Sequence, residues 1–212
     1  MTTGKFIAFE GGEGAGKSTQ ARLLAEALRA RRLDVVLTRE PGGTPGAEAI
    51  RALLLGLDGQ GWNPSAEALL FAAARADHVE RLIEPALAAG KWVICDRFVD
   101  SSRAYQGGAG GLADEDILAL HRIGSGGLLP DRVLLIEIPA NEAATRLARR
   151  DAGRTDRIGG RDRTYHAGVA AAFARFATAE PRRFIRIDGD GDIAATHVKV
   201  LAAIASLLGD AS

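Results

Sequence analysis

Residues 11–18 contain the pattern G-x-x-x-x-G-K-[ST], which constrains the fold more than any other part of the chain. An apolar run at residues 6–9 precedes the pattern, and a helical pattern begins at Thr19. Strand, glycine loop and helix in this order are what a phosphate-binding loop requires, because the glycines turn backbone N–H groups towards phosphate oxygens at a helix N-terminus. A glycine-rich turn without function is the weaker interpretation, since lysine occurs only at positions 5, 17, 91 and 199. We predict that Lys17 reaches the β- and γ-phosphates of a nucleotide and that Ser18 ligates Mg²⁺.

Short apolar runs alternate with helical patterns along the whole chain, and this alternation predicts the fold class. Five runs have the length and composition of strands, at residues 6–9, 35–37, 92–95, 133–138 and 183–187. We therefore predict an α/β fold, a parallel sheet of about five strands covered by helices on both faces, in a single domain over residues 1–212.

Three local features of the connecting segments can also be predicted. Residues 65–88 have the apolar stripe of one long helix. Residues 98–111 are polar and rich in glycine, which is typical of an irregular connection. Asp114 and Asn141 stand where N-caps of two further helices are expected.

The charge balance and the single cysteine limit the partners and the compartment. Lys plus Arg and Asp plus Glu both number 27, so the chain has no globally basic surface for nucleic acid. Cys95 is the one cysteine, so no internal disulfide exists and a reducing cytoplasm is expected. No uncharged apolar stretch reaches 18 residues, so we expect no membrane partner.

Two segments follow predicted strands at the sheet edge where parallel α/β proteins bind ligands. Residues 38–44 form a Pro- and Gly-containing turn after the second strand, and Asp96 and Arg97 end the third. An acid at such a strand end is typical of a residue that holds Mg²⁺ directly or through water. The alternative is that Asp96 only caps a turn.

Two further patterns leave alternatives open when only the residues are considered. Phe71 and Arg75 project from the same side of a helix, and core packing is the simpler interpretation of Phe71. Seven arginines occur between residues 146 and 163, interrupted by three glycines. This segment is either a solvated helix end or a lid that closes arginines over phosphates.

A short chain, an arginine beside the strand-end acid and the late arginine-rich segment indicate a small phosphotransferase. The chain resembles the bacterial thymidylate kinases over essentially its full length. The resemblance is carried by motifs that occur in the family's order and spacing: Phe9-Glu-Gly-Gly-Glu-Gly-Ala-Gly-Lys-Ser18, Arg39-Glu-Pro-Gly-Gly-Thr44, Leu70-Phe-Ala-Ala-Ala-Arg75, Asp96-Arg97 with Ser101, Ala104-Tyr-Gln-Gly107 and Asp156-Arg157-Ile158.

The resemblance implies a P-loop NTPase-type fold with an arginine-rich lid at about residues 149–161. It implies a cytoplasmic homodimer that uses ATP and Mg²⁺ to phosphorylate dTMP to dTDP, for dTTP synthesis and DNA replication. The ATP phosphates would be bound by the loop residues Gly11, Gly12, Glu13, Gly14, Ala15, Gly16, Lys17, Ser18 and Thr19. Mg²⁺ would be held by Ser18 and Asp96.

The resemblance also implies the acceptor site, in which Phe71 stacks on thymine and Arg75 hydrogen-bonds the base edge. Tyr105 would lie against the sugar and exclude a 2′-hydroxyl, and Glu13 would lie near the 3′-hydroxyl. Arg97, helped by Arg51, would bind the dTMP phosphate. The remaining residues of the implied dTMP site are Pro41, Ser101, Ser102 and Gln106.

Related enzymes carry their catalytic arginine either in the phosphate loop or in the lid. This loop has Ala15, so the resemblance implies a lid arginine, with Arg149, Arg150 and Arg154 as candidates beside the catalytic Lys17 and Arg97. Three residues depart from the family pattern: Glu137, Asp100 and Arg103.

Two other functions remain as alternatives at this stage. One is a kinase for another small acceptor, whose hydroxyl nucleophile would require Asp96 as a base. The other is a nucleotide-dependent switch or ATPase module that regulates a partner, which leaves the Phe71 and Arg75 pair unexplained.

Overall fold

The computed structural model describes residues 4–56, 61–151 and 157–209, and it describes their side chains except at 148–151. Five strands form one parallel sheet in the order β2-β3-β1-β4-β5. The strands are β1 Phe6–Glu10, β2 Val35–Arg39, β3 Trp92–Asp96, β4 Arg132–Glu137 and β5 Phe184–Asp188. The predicted number of strands and their parallel arrangement are confirmed.

Helices cover both faces of the sheet. They are α1 Lys17–Ala30, α2 Pro45–Leu55, α3 Pro64–His78, α4 Glu84–Ala88, α5 Val99–Ser102, α6 Asp114–Ser125, α7 Ala140–Asp151, α8 Arg163–Ala179, α9 Ile193–Ala203 and α10 Ala205–Leu208. Two π-helical segments, Val79–Ile83 and Arg103–Ala109, continue α3 into α4 and extend α5. Within the described ranges, no helix has both the length and the apolarity needed to cross a membrane.

The central strand β1 is buried on both faces because its side chains alternate between two cores. Ile7 and Phe9 join the cluster that contains Leu24 of α1. Phe6 and Ala8 join the cluster on the opposite face. A strand buried on both faces must read as a continuous apolar run, which is why β1 is recognisable from sequence.

Helices α2 and α3 begin where local sequence signals place them. The Thr44 hydroxyl accepts a hydrogen bond from the Ala47 N–H, and the Asn63 side chain accepts one from Ala66. A proline follows each cap, at the first helical position, where its missing N–H costs nothing.

The predicted irregular connection at residues 98–111 is wrong, since the chain here is helical and largely buried. The Glu10 carboxylate accepts hydrogen bonds from the N–H groups of Phe98 (2.8 Å) and Ser101 (3.0 Å), so a residue of β1 caps α5. A Cβ on Gly108 would lie 2.5 Å from the Cβ of Ala172. This glycine therefore permits close packing on α8 instead of making a turn.

The other local predictions need smaller corrections. The helix expected over 65–88 contains the π-helical segment Val79–Ile83. Helix α6 starts at Asp114 with Ala113 as its N-cap, and the Asp114 carboxylate instead accepts two hydrogen bonds from Arg103, both 2.8 Å long. Asn141 is the second residue of α7, so it is not the N-cap.

Candidate active site

The loop between β1 and α1 has the backbone that its glycines permit. Gly11, Gly14 and Gly16 have φ values of 138°, 73° and 94°. A Cβ on Gly11 would lie 2.3 Å from the carbonyl oxygen of Ile136, and one on Gly14 would lie 2.8 Å from that of Ala143. Both backbone angle and space therefore require glycine at these two positions.

Lys17 lies inside this loop with its charge largely removed from water. Its Nζ donates hydrogen bonds to the carbonyl oxygens of Gly11 (3.0 Å) and Gly12 (2.7 Å). Burial, and secondarily the charge of Arg97, lower the pKa of Lys17 to about 8. An anionic ligand beside Nζ would offset both effects, as expected of a group that binds phosphate.

Ser18 and Asp96 meet at the ends of α1 and β3. The Ser18 hydroxyl donates to Asp96 Oδ2, while Asp96 Oδ1 is buried and has no hydrogen-bond partner among the described residues. In the same part of the chain, no three His, Cys, Asp or Glu side chains cluster so as to hold a metal ion unaided. One hydroxyl and one carboxylate fit Mg²⁺, which usually takes its other ligands from substrate phosphates and water.

Arg97 has a φ of 71°, a backbone region that residues other than glycine rarely adopt. Its guanidinium forms an ion pair with Glu13 and donates to the Ser101 hydroxyl at 3.1 Å. It also lies over the ring of Tyr105, at 5.0 Å from the centroid. Such strained positions cluster at functional sites, and this one directs an arginine over the phosphate loop.

Glu10 interacts with Arg97 indirectly, through the Ser101 hydroxyl. Its Oε2 accepts a hydrogen bond from the Ser101 hydroxyl at 2.6 Å, and the same hydroxyl accepts from Arg97. Burial, followed by the charge of Asp100, raises the pKa of Glu10 to about 7. This role of Glu10 is not predictable from the sequence, because nothing there distinguishes it from any other strand-end acid.

Phe71 and Arg75 are both contributed to the site by α3. Arg75 is buried, donating from Nε to Glu40 Oε2 and from Nη2 to the Ser102 hydroxyl, both at 2.8 Å. Gln106 is also buried and donates from Nε2 to Glu67 Oε1 at 2.7 Å. Planar polar groups therefore stand beside an aromatic ring, which suits a planar heterocycle.

Most of these residues line one cavity of about 530 Å³; Glu10, Gly11 and Glu67 do not. Every residue expected to bind the acceptor lines it: Glu13, Pro41, Arg51, Phe71, Arg75, Arg97, Ser101, Ser102, Tyr105 and Gln106. The loop contributes Gly14, Gly16, Lys17, Ser18 and Thr19 beside Glu13, and Asp96 is present. Gly11, Gly12 and Ala15, also predicted to bind phosphate, do not line the cavity, and the side chain of Ala15 packs into the core.

Six further residues of the cavity wall were not predicted as site residues: Arg39, Glu40, Leu55, Phe98, Arg146 and Ile158. Arg146 donates from Nε to Glu142 (2.9 Å) and from Nη2 to the carbonyl of Gly189 (3.2 Å). Its Nη1 lies 4.0 Å from where a Cβ on Gly16 would stand. Its sequence signal was ambiguous, because it is one of seven arginines in a dense segment.

Part of the predicted lid lies outside the described residues. Arg154 and Asp156 fall there, while Arg149 and Arg150 belong to α7 with side chains outside the description. After this gap, Arg157 donates from Nε to the carbonyl of Gly56 at 2.9 Å, and Ile158 is buried in the cavity wall. The second part of the arginine-rich segment thus packs against the acceptor side.

The residues noted as departures from the family pattern have contacts outside the cavity. Asp100 is fully buried and accepts from both Arg103 and Arg183. Glu137 forms an exposed ion pair with Arg186 of β5. The contact of Asp100 with Arg183 joins the helical segment of the site to the connection between α8 and β5, and the pair of Glu137 with Arg186 joins β4 to β5.

Comparisons with known proteins agree on one family. The family model described as thymidylate kinase matches residues 9–200. The chain is 58% identical to a thymidylate kinase of Rhizorhabdus wittichii over 205 residues, covering 97% of this chain and 99% of the relative. It is 48% identical to one of Rhodopseudomonas palustris, covering 96% and 89%. The crystal structure of thymidylate kinase from Ehrlichia chaffeensis is similar with a TM-score of 0.78 and 34% identity, covering 96% of this chain and 99% of that one.

Proposed function

The chain belongs to the thymidylate kinase family, and we infer that it transfers the γ-phosphoryl group of ATP to dTMP, giving dTDP. One observation connects this activity to the molecule: a single cavity is lined both by the phosphate loop and by an aromatic residue with planar polar partners. A donor phosphate and an acceptor nucleotide can therefore meet inside it. The alternative acceptors and the switch function are set aside, because neither is a property of this family.

We propose that dTMP lies with its base between Phe71 and the Arg75 guanidinium and with its phosphate beside Arg97. A half-buried aromatic ring provides a stacking surface, and Arg75 can donate to a carbonyl on the base edge. Arg51 lies in the same wall and is the second cation for the phosphate. The Tyr105 hydroxyl donates to Glu13 at 3.4 Å, and because Tyr105 is proposed to lie against the sugar, this contact supports the placement of Glu13 by the 3′-hydroxyl.

We propose that the loop residues Gly14 to Thr19 hold the ATP phosphates. Lys17 contributes a buried cation, and the N-terminus of α1 contributes its partial positive charge. Arg146 lies beside this loop, and we propose that it also contacts the phosphates of ATP. Ser18 and the unpaired Asp96 Oδ1 are proposed to hold Mg²⁺, which would neutralise charge between the donor phosphates.

The reaction needs no general base. Its nucleophile is an oxygen of the dTMP phosphate, whose second pKa of about 6 leaves it mostly ionised at neutral pH. The protein must instead align two anions and offset their repulsion, which Lys17, Arg97 and Arg51 do through fixed positive charge. A lid arginine, from among Arg149, Arg150 and Arg154, is proposed to complete this charge when the lid closes and excludes water.

We propose that the protein acts as a cytoplasmic homodimer. Large apolar side chains are exposed at Leu53 of α2, Leu69 of α3 and Ile123 of α6, by 55%, 56% and 84%. Burial of such side chains between two copies would be favourable. Cys95 is buried and unpaired, which is compatible with a reducing compartment. Light scattering after size exclusion tests the dimer, and a mass of about one chain would contradict it.

ADP release measured with and without dTMP tests the proposed reaction. Release should depend on dTMP, and Lys17→Ala should abolish it while circular dichroism reports a retained fold. Equal ADP release without any acceptor would indicate hydrolysis instead of transfer. Near-normal turnover by a folded Lys17→Ala protein would contradict the role of the loop.

A further inference from the structure

Arg75 stands at the end of a chain of buried hydrogen bonds that begins on β2. Thr38 Oγ1 lies 2.8 Å from His78 Nε2, and His78 Nδ1 lies 3.1 Å from Glu40 Oε1. The other oxygen of Glu40 accepts from Arg75 Nε at 2.8 Å. Glu40 comes from the loop after β2, whereas His78 and Arg75 come from α3, so the relay Thr38–His78–Glu40–Arg75 joins two elements.

Burial makes each contact of this relay costly to lose. His78 is fully buried, and Arg75 and Glu40 are exposed by only 3% and 5%. Breaking a buried ion pair leaves an uncompensated charge, so the partners strongly constrain one another. A Cβ on Gly43 would lie 2.6 Å from His78 Nε2 and 2.5 Å from Thr38 Oγ1. The backbone of the loop therefore closes tightly over the relay.

The direction of one hydrogen bond follows from chemistry. An ionised carboxylate can only accept, so His78 Nδ1 carries the proton that it donates to Glu40. Thr38 holds the other ring nitrogen and fixes the orientation of the imidazole. His78 therefore orients the Glu40 carboxylate, which in turn orients the Arg75 guanidinium.

The remaining donors of Arg75 are then fixed in direction. Nε donates to Glu40 and Nη2 donates to the Ser102 hydroxyl, whereas no hydrogen bond from Nη1 is found among the described residues. Arg75 lines the cavity beside Phe71. A rigid guanidinium with unused donors distinguishes one base edge from another best, because it loses less rotamer freedom when the base binds.

We propose that Glu40 and His78 are positioning residues for acceptor-base recognition, acting through Arg75. This inference rests on the proposed placement of dTMP against Arg75. Neither residue touches the acceptor base in this proposal; their role is to hold the guanidinium in the geometry that the base edge requires. The competing explanation is that the relay only fastens the loop after β2, which carries Pro41 of the proposed dTMP site, to α3. His78→Gln would then weaken dTMP binding further in an Arg75→Ala background, whereas a residue that acts through Arg75 has no further effect there.

Two substitutions of His78 separate these explanations. Asparagine places an amide N–H near the Nδ1 position and keeps the donor to Glu40, whereas glutamine places it near Nε2 and loses that donor. Dissociation constants of dTMP and of a non-hydrolysable ATP analogue are measured by calorimetry. His78→Gln should weaken dTMP binding about 10-fold, as expected for the loss of one buried hydrogen bond to a charged group. His78→Asn should weaken it by no more than about 3-fold, the effect of a neutral bond.

The analogue should bind both variants and the matched control His197→Gln, on α9, about as tightly as wild type. Equal dTMP affinities for the two His78 variants, or equal losses for dTMP and the analogue, would overturn the proposal. If both His78 variants unfold, Thr38→Val provides the test, since it removes only the Thr38 hydroxyl that contacts His78 Nε2. It should raise the dTMP dissociation constant about 3-fold, and an unchanged constant would overturn the proposal.

The variant Arg75→Ala tests the proposed placement of dTMP, on which the relay proposal rests. Loss of the guanidinium should weaken dTMP binding at least as much as His78→Gln does. Unchanged dTMP binding by Arg75→Ala would place the base elsewhere, so the proposed function would fail. Weakened binding by Arg75→Ala together with normal binding by His78→Gln would reject the relay alone.

Discussion

The carboxylate of Glu13 in the phosphate loop forms an ion pair with the guanidinium of Arg97, which directly follows β3. The two residues are 84 positions apart in sequence. Arg97 also donates to the Ser101 hydroxyl and lies over the Tyr105 ring. One arginine thus connects the loop proposed to hold ATP to the residues proposed to hold dTMP. Substitutions at and around it therefore test the proposed site.

Arg97→Lys should lower kcat/KM for dTMP by about 100-fold, which is typical when one charge-stabilising donor is lost. Lysine keeps the charge but cannot reach two partners through a planar fork. Steady-state kinetics at saturating ATP measure the effect. Arg186→Lys, in the exposed pair with Glu137, is the matched control and should behave like wild type. A kcat/KM within a factor of about three of wild type would mean that Arg97 acts only as a point charge.

Tyr105→Ala should raise relative activity on the ribonucleotide while lowering activity overall. Tyr105 is buried, with its ring centroid 6.5 Å from that of Phe173, so it has no room to move away from an added 2′-hydroxyl. The ratio of kcat/KM for the deoxy and ribo substrates measures the effect. Tyr105→Phe is the control, since it keeps the ring and should keep the ratio. An unchanged ratio in Tyr105→Ala would locate the discrimination at another residue.

Replacing Arg149, Arg150 and Arg154 together by methionine should lower kcat by about 10³–10⁵, the value of a transition-state arginine in related chemistry. Substrate dissociation constants should stay nearly constant, because such a contact forms only in the transition state. Single variants then identify the acting residue, and Arg122→Met on α6 is the control. If the triple variant keeps more than about a tenth of wild-type kcat, the segment has no catalytic arginine and is only a solvated helix end.

Glu10 should make the free energy of unfolding depend on pH. Burial raises its pKa from 4.5 to about 7, so between these values the folded state binds a proton that the unfolded state has lost. The stabilisation is therefore full below about 4.5 and is lost as pH rises to about 7. The loss amounts to about 3 kcal/mol, at about 1.4 kcal/mol per pKa unit.

Urea denaturation of wild type and Glu10→Gln at several pH values tests this. Glutamine keeps an oxygen for the N–H groups of Phe98 and Ser101 but does not titrate, so the variant should lack this part of the pH dependence. Glu26→Gln, in an exposed pair with Arg22, is the control and should retain it. Parallel pH curves for Glu10→Gln and wild type would exclude Glu10 as the titrating group.

The fold could be predicted because its signals are local. The apolar run of β1, the glycines of the loop and the alternation of strands and helices all act over a few residues. The helical segment at residues 98–111 was not predicted, because its cap is Glu10 and its glycine packs on Ala172, both distant in sequence. Polar composition predicted a loop there, and tertiary contacts formed a helix.

The ten residues proposed for the acceptor site were predicted from the family resemblance, since their types and spacing alone left core packing open for Phe71. The structure adds that they line one cavity and that Glu40, Phe98 and Arg146 belong to the same wall. The sequence could not single out Arg146, because it is one of seven arginines between residues 146 and 163.

The sequence by itself determined the loop, the strands and the residue types of the phosphate site, because backbone angles and apolar periodicity are properties of neighbouring residues. Only the tertiary structure decided which polar and charged side chains face one another: Glu13 with Arg97, Glu10 with Ser101, and Glu40 with both His78 and Arg75. Their electrostatic interactions depend on distance and burial across elements separated by tens of residues. A linear pattern carries neither quantity, so the partners of these groups, and the raised pKa of Glu10, are known only once the fold has brought the carboxyl ends of the strands together.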